Sequence, residues 1–106
     1  MKLMTIALVV AFAGGSIAAF AAEHSIMQKG KTFSESNVTL KKGDSLLFVN
    51  DDTIHHNILS TTPGSEFNLG SQAPGASTPV TFNKAGEITV LCAIHPRMKL
   101  AVTVNE

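Results

Sequence analysis

Residues 86–104 of the chain are GEITVLCAIHPRMKLAVTV. Apolar and polar side chains alternate on both sides of a central loop, and a period of two is typical of strands that bury one face. The predicted buried faces consist of Ile88, Val90 and Cys92 before the loop and of Leu100, Val102 and Val104 after it. The stretch therefore predicts two strands joined by a short loop.

The rest of the chain consists of short extended segments separated by turns. Residues 45–50 form an apolar run bounded by glycine and Asn/Asp, as in a buried strand, whereas residues 72–79 hold two prolines and a glycine and are expected to be irregular. Further strands are predicted at residues 54–60, 67–70 and 80–82, with weaker edge strands at 26–33 and 37–40. Six to eight strands, spaced by roughly 8–12 residues, predict an all-β fold, a two-sheet antiparallel sandwich.

The first 21 residues have the pattern of a secretory signal peptide. One cation, Lys2, precedes an apolar run from Leu3 to Ala13, and Ala19-Phe20-Ala21 is typical of a cleavage site. The apolar run is well short of the ~20 residues that a membrane anchor needs. We therefore expect export, cleavage after Ala21, and one domain at residues 22–106 with no membrane insertion.

Size, charge and cysteine content exclude several classes of protein. The whole chain has eight Lys+Arg and eight Asp+Glu, and this balance offers no basic stripe for nucleic acid. The mature domain is small for an enzyme that needs a cleft between domains. The lone Cys92 excludes an internal disulfide, a four-cysteine zinc site and two-cysteine haem attachment. A small exported domain without disulfides is expected to gain stability elsewhere, for example from a metal.

The loop between the last two strands carries three possible metal ligands. Cys92, His95 and Met98 bring a thiol, an imidazole and a thioether within seven residues. One Cys, two His and a weakly bound Met form an electron-transfer copper site, so a second histidine is needed from His55-His56. Taken singly, Cys92 and Met98 could be core residues and His95 a surface histidine. Their spacing favours copper.

These residues resemble the cupredoxins, the small blue copper proteins. The resemblance spans residues 41–104, and the two-residue gap between His95 and Met98 is similar to the amicyanin group within the plastocyanin-like proteins. It rests on the run at 43–50, the pair His56-Asn57, Gly86 and the motif Cys92-x-x-His95-x-x-Met98. The resemblance implies a Greek-key sandwich that binds one copper ion through His56, Cys92, His95 and Met98.

The family motif also separates His55 from His56 and suggests roles for neighbours. Successive strand residues face opposite ways, and the motif has Asn directly after the ligand, so we choose His56. The Asn57 side chain is then expected to connect the His56 strand to the loop that starts at Cys92. Pro96 has no N–H and cannot donate a hydrogen bond to the Cys92 sulfur.

By the same resemblance, one face around His95 is the expected docking and electron-exit surface. The ring edge of His95 is expected to reach solvent between the apolar Ile94 and Pro96. Arg97 at the rim is positioned to steer an acidic partner, although a lone exposed charge is more often merely solvated. Ile94 and Arg97 depart from the amicyanin group, which has a proline and an aromatic residue there.

The new N-terminus offers a second candidate copper site. After cleavage, a free amine at Ala22 and a histidine in third place, His24, have the pattern that wraps Cu(II) in a square plane. The alternative is an incidental histidine on a frayed terminus.

The resemblance implies a periplasmic, monomeric electron carrier without enzymatic activity. Its copper would cycle between Cu(II) and Cu(I), and its partners would be redox proteins such as a periplasmic dehydrogenase or a c-type cytochrome. Two alternatives remain at this point. One is a copper-handling protein for storage or delivery. The other is a thiol enzyme with Cys92 as nucleophile and His95 as base, which leaves His56 and Met98 without a role.

Overall fold

The computed structural model describes residues 21–106, so the predicted signal peptide at 1–21 lies outside the described residues except for Ala21. Strands are the regular elements of this part of the chain. They are β1 (Glu23–Lys29), β2 (Thr32–Phe33), β3 (Asn37–Lys41), β4 (Ser45–Asn50), β5 (Ile58–Ser60), β6 (Phe67–Asn68), β7 (Ser77–Thr81), β8 (Gly86–Cys92) and β9 (Lys99–Asn105). Across residues 21–106, no helix has the length and hydropathy needed to cross a membrane.

The strands form two sheets. One has the order β2-β1-β4-β7 and the other β3-β9-β8-β5-β6. The chain crosses between them after β2, β3, β4, β6 and β7. The predicted all-β, two-sheet Greek-key sandwich is confirmed. The prediction of purely antiparallel sheets was wrong, because β1 pairs with β4 and β3 with β9 in parallel. Alternation of side chains sets which face is buried but does not set strand direction.

The strands at residues 86–104 match their prediction most closely. β8 and β9 pair antiparallel, with Val90 opposite Leu100, and the alternate residues of both strands are buried. The predicted strand at 54–60 is shorter than expected, since β5 begins only at Ile58. The prediction that residues 72–79 are irregular is partly wrong, because Pro79 lies within β7. β7 is an edge strand, where a residue without an N–H is tolerated.

The core fills the space between the two sheets. In β4, Leu46, Phe48 and Asn50 are buried on one face. The Phe48 ring packs against Phe33 and Phe67 with ring centroids 6.3 Å apart in each pair. The inward row of β8 ends at Cys92, which is 2% exposed. This row continues the hydrophobic core to the end of the sandwich where the β8–β9 loop lies.

Candidate metal centre

His56 is held between β4 and β5 by the backbone of Gln72. The His56 N–H donates to the Gln72 carbonyl at 3.1 Å, and the Gln72 N–H donates back to the His56 carbonyl at 2.7 Å. His56 is fully buried, whereas the neighbouring His55 is exposed. The pair of backbone bonds therefore fixes which histidine faces the interior, although His56 lies outside a regular strand.

Cys92 enters the site from the end of β8 and is bonded to the segment that carries His56. The N–H of Ala93 donates to the Asn57 carbonyl at 2.8 Å. The N–H of Asn57 approaches the Cys92 Sγ at 3.4 Å. These two contacts extend the pairing of β5 with β8, in which Ile58 lies opposite Cys92. The thiol is thus positioned by the end of β8, and His56 by the segment that leads into the adjacent strand β5.

A tight turn brings the remaining donors together. The Met98 N–H donates to the His95 carbonyl at 2.9 Å, which places Pro96 and Arg97 at the two central positions of the turn. Pro96 favours this conformation because its ring fixes φ near −65° at the second position of such turns. Met98 is 1% exposed, and His95 is half-buried at the protein surface.

The donor atoms of three residues face one another. One ligand atom each from His56, Cys92 and His95 lie within 4.8 Å of one another, and we call these residues the donor cluster. The Cys92 Sγ is 3.7 Å from the Nδ1 of His56 and 3.7 Å from the Nδ1 of His95. Metal bonds of about 2.0–2.3 Å place the ligand atoms of a trigonal site about 3.5–4.0 Å apart. The spacing and the donor set of two imidazoles and a thiol therefore fit a copper ion.

The far side of the His56 ring contacts a carboxylate. The His56 Nε2 lies 2.9 Å from the Oδ2 of Asp52, whose side chain is 13% exposed. This hydrogen bond is the largest of the causes that lower the pKa of Asp52, which falls to about 2. Because an ionised carboxylate only accepts, the Nε2–H is the donor of this hydrogen bond, and the Nδ1 faces the Cys92 sulfur.

Comparison with known proteins supports a copper site of this kind. A sequence model of the copper-binding proteins of the plastocyanin/azurin family matches residues 20–105. The chain belongs to this family. It is a cupredoxin in which His56, Cys92, His95 and Met98 are arranged as a single copper site.

Individual relatives agree with the family assignment. The methylamine utilization protein MauL of Methylorubrum extorquens is 27% identical over 105 residues, which cover 98% of this chain and 92% of the relative. A reduced Cu(I) amicyanin variant has a TM-score of 0.71 at 20% identity, with 84% of this chain and 86% of that chain covered.

A larger copper protein contains the same fold. The copper-containing nitrite reductase of Thermus scotoductus SA-01 has a TM-score of 0.73 at 23% identity over 92% of this chain. The cupredoxin spans only 25% of that reductase. At this identity, the likeness to both solved structures concerns the fold alone.

Sequence reasoning missed the polar residues that support His56. Gln72 is 3% exposed, and its Nε2 donates to the Phe48 carbonyl at 2.8 Å while its Oε1 accepts from the Gln28 Nε2 at 2.8 Å. The Asn50 Nδ2 donates to the Gln72 carbonyl at 2.8 Å. Of these residues, Gln28 and Asn50 lay in predicted strands, whereas Gln72 lay in a segment that was expected to be irregular. Nothing in the sequence singles out a glutamine in a proline-containing segment as the backbone partner of His56.

Asn57 contacts the cysteine differently from the prediction. Its backbone N–H and carbonyl reach Cys92 and Ala93, as described above. The predicted link through its side chain was wrong, because the Asn57 Nδ2 donates to the Asn68 Oδ1 at 2.8 Å. The side chain therefore connects the His56 segment to β6, and the backbone makes the connection to the cysteine.

The predicted docking residues lie around a surface depression beside His95. Among residues 21–106, Ile94 is the large hydrophobic side chain that is exposed, at 54%. The depression is lined by Ile94, His95, Pro96 and Arg97, by the β1–β2 turn at Gly30 and Lys31, and by Thr32 at the start of β2. The turn was not foreseen, and it adds a second cation, Lys31, whose φ of 61° is unusual for a residue other than glycine.

His24 lies far from the donor cluster. It is an exposed residue of β1 that pairs with Leu46 near the start of β4, whereas Asn50, at the other end of β4, bonds to Gln72. The Ala22 N–H donates to an Asp44 carboxylate oxygen at 2.9 Å, and the Ala22 carbonyl accepts from Ser45 at 2.9 Å. A square-planar site at the terminus would require residues 22–24 to give up these bonds.

Proposed function

We propose that this cupredoxin is a periplasmic electron carrier with a type 1 blue copper centre. The observation that carries the proposal is the donor cluster, whose two imidazoles and thiol lie within 4.8 Å of one another. His56, Cys92 and His95 would be the strong ligands, and Met98 would be a weak ligand that tunes the potential. A bound copper ion supplies one-electron chemistry by alternating between Cu(II) and Cu(I).

The role of the protein is to keep this site rigid. His56 is bonded to Gln72 on its backbone and to Asp52 on its ring, and Cys92 ends a paired strand. A fixed site that suits both oxidation states exchanges an electron with little rearrangement. This rigidity favours a carrier over a protein that stores or delivers copper, since delivery requires the ligands to release the ion.

Electrons would enter and leave through the surface at His95. Ile94 and Pro96 provide an apolar contact area next to the half-buried imidazole, and Arg97 provides a positive rim. Such a surface suits transient contact with acidic redox proteins, for example a periplasmic dehydrogenase or a c-type cytochrome. In each cycle the protein would gain one electron from a reduced partner and pass one electron to an oxidised partner.

Export and a monomeric state complete the proposal. The leader pattern at residues 1–21 supports removal of the signal peptide, release into the periplasm and no membrane insertion afterwards. The proposed role is transport of electrons, and no substrate is converted.

A visible absorption spectrum after addition of Cu(II) tests the ligand assignment. The oxidised wild-type protein is expected to show an intense blue band that disappears on reduction and returns on oxidation. Cys92→Ser and His56→Ala should abolish this band. His55→Ala is the matched control, since His55 is exposed next to the buried His56, and it should keep the band.

Electron exchange separates the carrier from its alternatives. Rapid mixing of the blue protein with a reduced c-type cytochrome is expected to bleach the band with one electron transferred per copper. Slow exchange together with ready loss of Cu(I) to a chelator would support a copper-handling protein instead. Hydrolytic or transfer activity that persists without metal would support a thiol enzyme.

A further inference from the structure

Asp52 lies immediately behind the candidate ligand His56. Its Oδ2 is 2.9 Å from the His56 Nε2, on the opposite side of the ring from the donor cluster. The His56 side chain is fully buried, and only 13% of the Asp52 side chain is exposed. A partly buried carboxylate in this position interacts with the ring with little screening by solvent.

Other hydrogen bonds hold the Asp52 side chain in place. The same Oδ2 accepts from the backbone N–H of Lys31 at 3.2 Å, and the Oδ1 accepts from the N–H of Thr53 at 3.1 Å. The Asp52 N–H donates to the Asn50 Oδ1 at 2.9 Å. The Asp52 backbone is therefore anchored to β4, and its carboxylate is anchored to the β1–β2 turn that lines the docking depression.

We propose that Asp52 is a positioning residue that orients His56 and tunes the copper centre, an inference that rests on the proposed function. By accepting a hydrogen bond from the Nε2–H, Asp52 favours the tautomer whose Nδ1 lone pair faces the donor cluster. A carboxylate partner also makes the imidazole a stronger donor, which stabilises Cu(II) more than Cu(I). Asp52 is thus expected to lower the reduction potential.

Asp52→Asn tests the role of the charge, and Asp51→Asn is its matched control. Both variants lose one negative charge at adjacent positions, and asparagine at position 52 can still accept a hydrogen bond. Asp51, however, is exposed and lies 3.9 Å from the Lys29 ammonium. A direct effect through His56 should therefore appear only in the variant at position 52.

Cu(II) affinity, Cu(I) affinity and reduction potential are measured for both variants. Loss of a carboxylate partner of this kind lowers metal affinity about 10–100-fold. If a tenfold loss falls on Cu(II) alone, the potential of Asp52→Asn rises by about 59 mV. Asp51→Asn should match the wild type. Equal shifts in the two variants would overturn the proposal, because they would show a general effect of charge.

The tautomer of His56 provides a test that needs no variant. In the metal-free protein, where no copper ion occupies Nδ1, nitrogen-15 NMR is expected to show a proton on the His56 Nε2 that exchanges slowly with solvent. A proton on Nδ1, or rapid exchange at Nε2, would overturn the proposal. This measurement remains informative if Asp52→Asn does not fold.

Failure of the two proposals can be told apart. A wild-type protein that binds copper without a reversible one-electron couple would contradict the electron-carrier function. The Cu(II) affinities and the NMR spectrum would still test Asp52 in that case. A reversible couple with identical potentials in the wild type and in Asp52→Asn would contradict only the role of Asp52.

Discussion

Replacement of Gln72 by leucine tests how the sandwich supports His56. The Gln72 amide accepts from the Gln28 Nε2 and donates to the Phe48 carbonyl, each at 2.8 Å. Gln28 is fully buried and Gln72 is 3% exposed. Leucine has a similar volume but no polar atom. The substitution therefore leaves the Gln28 side-chain nitrogen and the Phe48 carbonyl without these partners.

The expected loss of stability follows from those two groups. A buried polar group without a partner costs about 1–3 kcal/mol. The Gln28 Oε1 already has no hydrogen-bond partner, so the whole Gln28 amide would become unpaired. We expect the free energy of unfolding to fall by about 2–4 kcal/mol, which lowers the melting temperature of a domain of this size by roughly 10–30 °C.

Urea unfolding of the metal-free protein, followed by circular dichroism, measures this loss without a contribution from metal binding. The single variant Gln28→Leu and the double variant Gln28→Leu/Gln72→Leu complete a double-mutant cycle with Gln72→Leu. Because the double variant removes both members of the pair, its loss should be smaller than the sum of the single losses by about 0.5–3 kcal/mol. Losses that add within ~0.5 kcal/mol would refute the reasoning.

Three further predictions concern the loop, acid stability and the terminus. Pro96→Ala supplies a backbone N–H on the ligand loop, and donation of this N–H to the Cys92 sulfur is expected to raise the reduction potential. An unchanged voltammogram would contradict this. Asp44 accepts hydrogen bonds chiefly from the Lys41 N–H and then from the Ala22 N–H, which lower its pKa from the ordinary 3.8. Its contribution to stability is therefore complete above pH ~4 and is lost as the pH falls through the lowered pKa, so Asp44→Asn should reduce the acid dependence of urea unfolding. Because Ala22 is bonded to Asp44, mass spectrometry should find one copper per chain; a second copper that is lost in His24→Ala would show the terminal site instead.

Local sequence determined the strands and the ligand loop. Alternation around Cys92 predicted which side chains of β8 and β9 are buried, because a strand turns successive residues to opposite faces. The spacing of Cys92, His95 and Met98 predicted three donors on one short loop. The turn at Pro96 brings them together by a backbone bond between His95 and Met98, which is also a local feature.

Pairing between segments distant in sequence set the strand directions and the contacts that local sequence did not predict. The parallel pairs β1–β4 and β3–β9 and the place of Pro79 in an edge strand depend on which strands become neighbours. The hydrogen bonds of Gln72 depend on the same packing, since Gln72 reaches Phe48 across 24 residues. Such contacts carry no periodic signal along the chain. The ligand types could therefore be predicted from the sequence, whereas the pairing of His56 with Gln72 formed only when distant segments met in the folded sandwich. Asp52 lies only four residues before His56, but the spacing alone did not distinguish it from an ordinary turn residue.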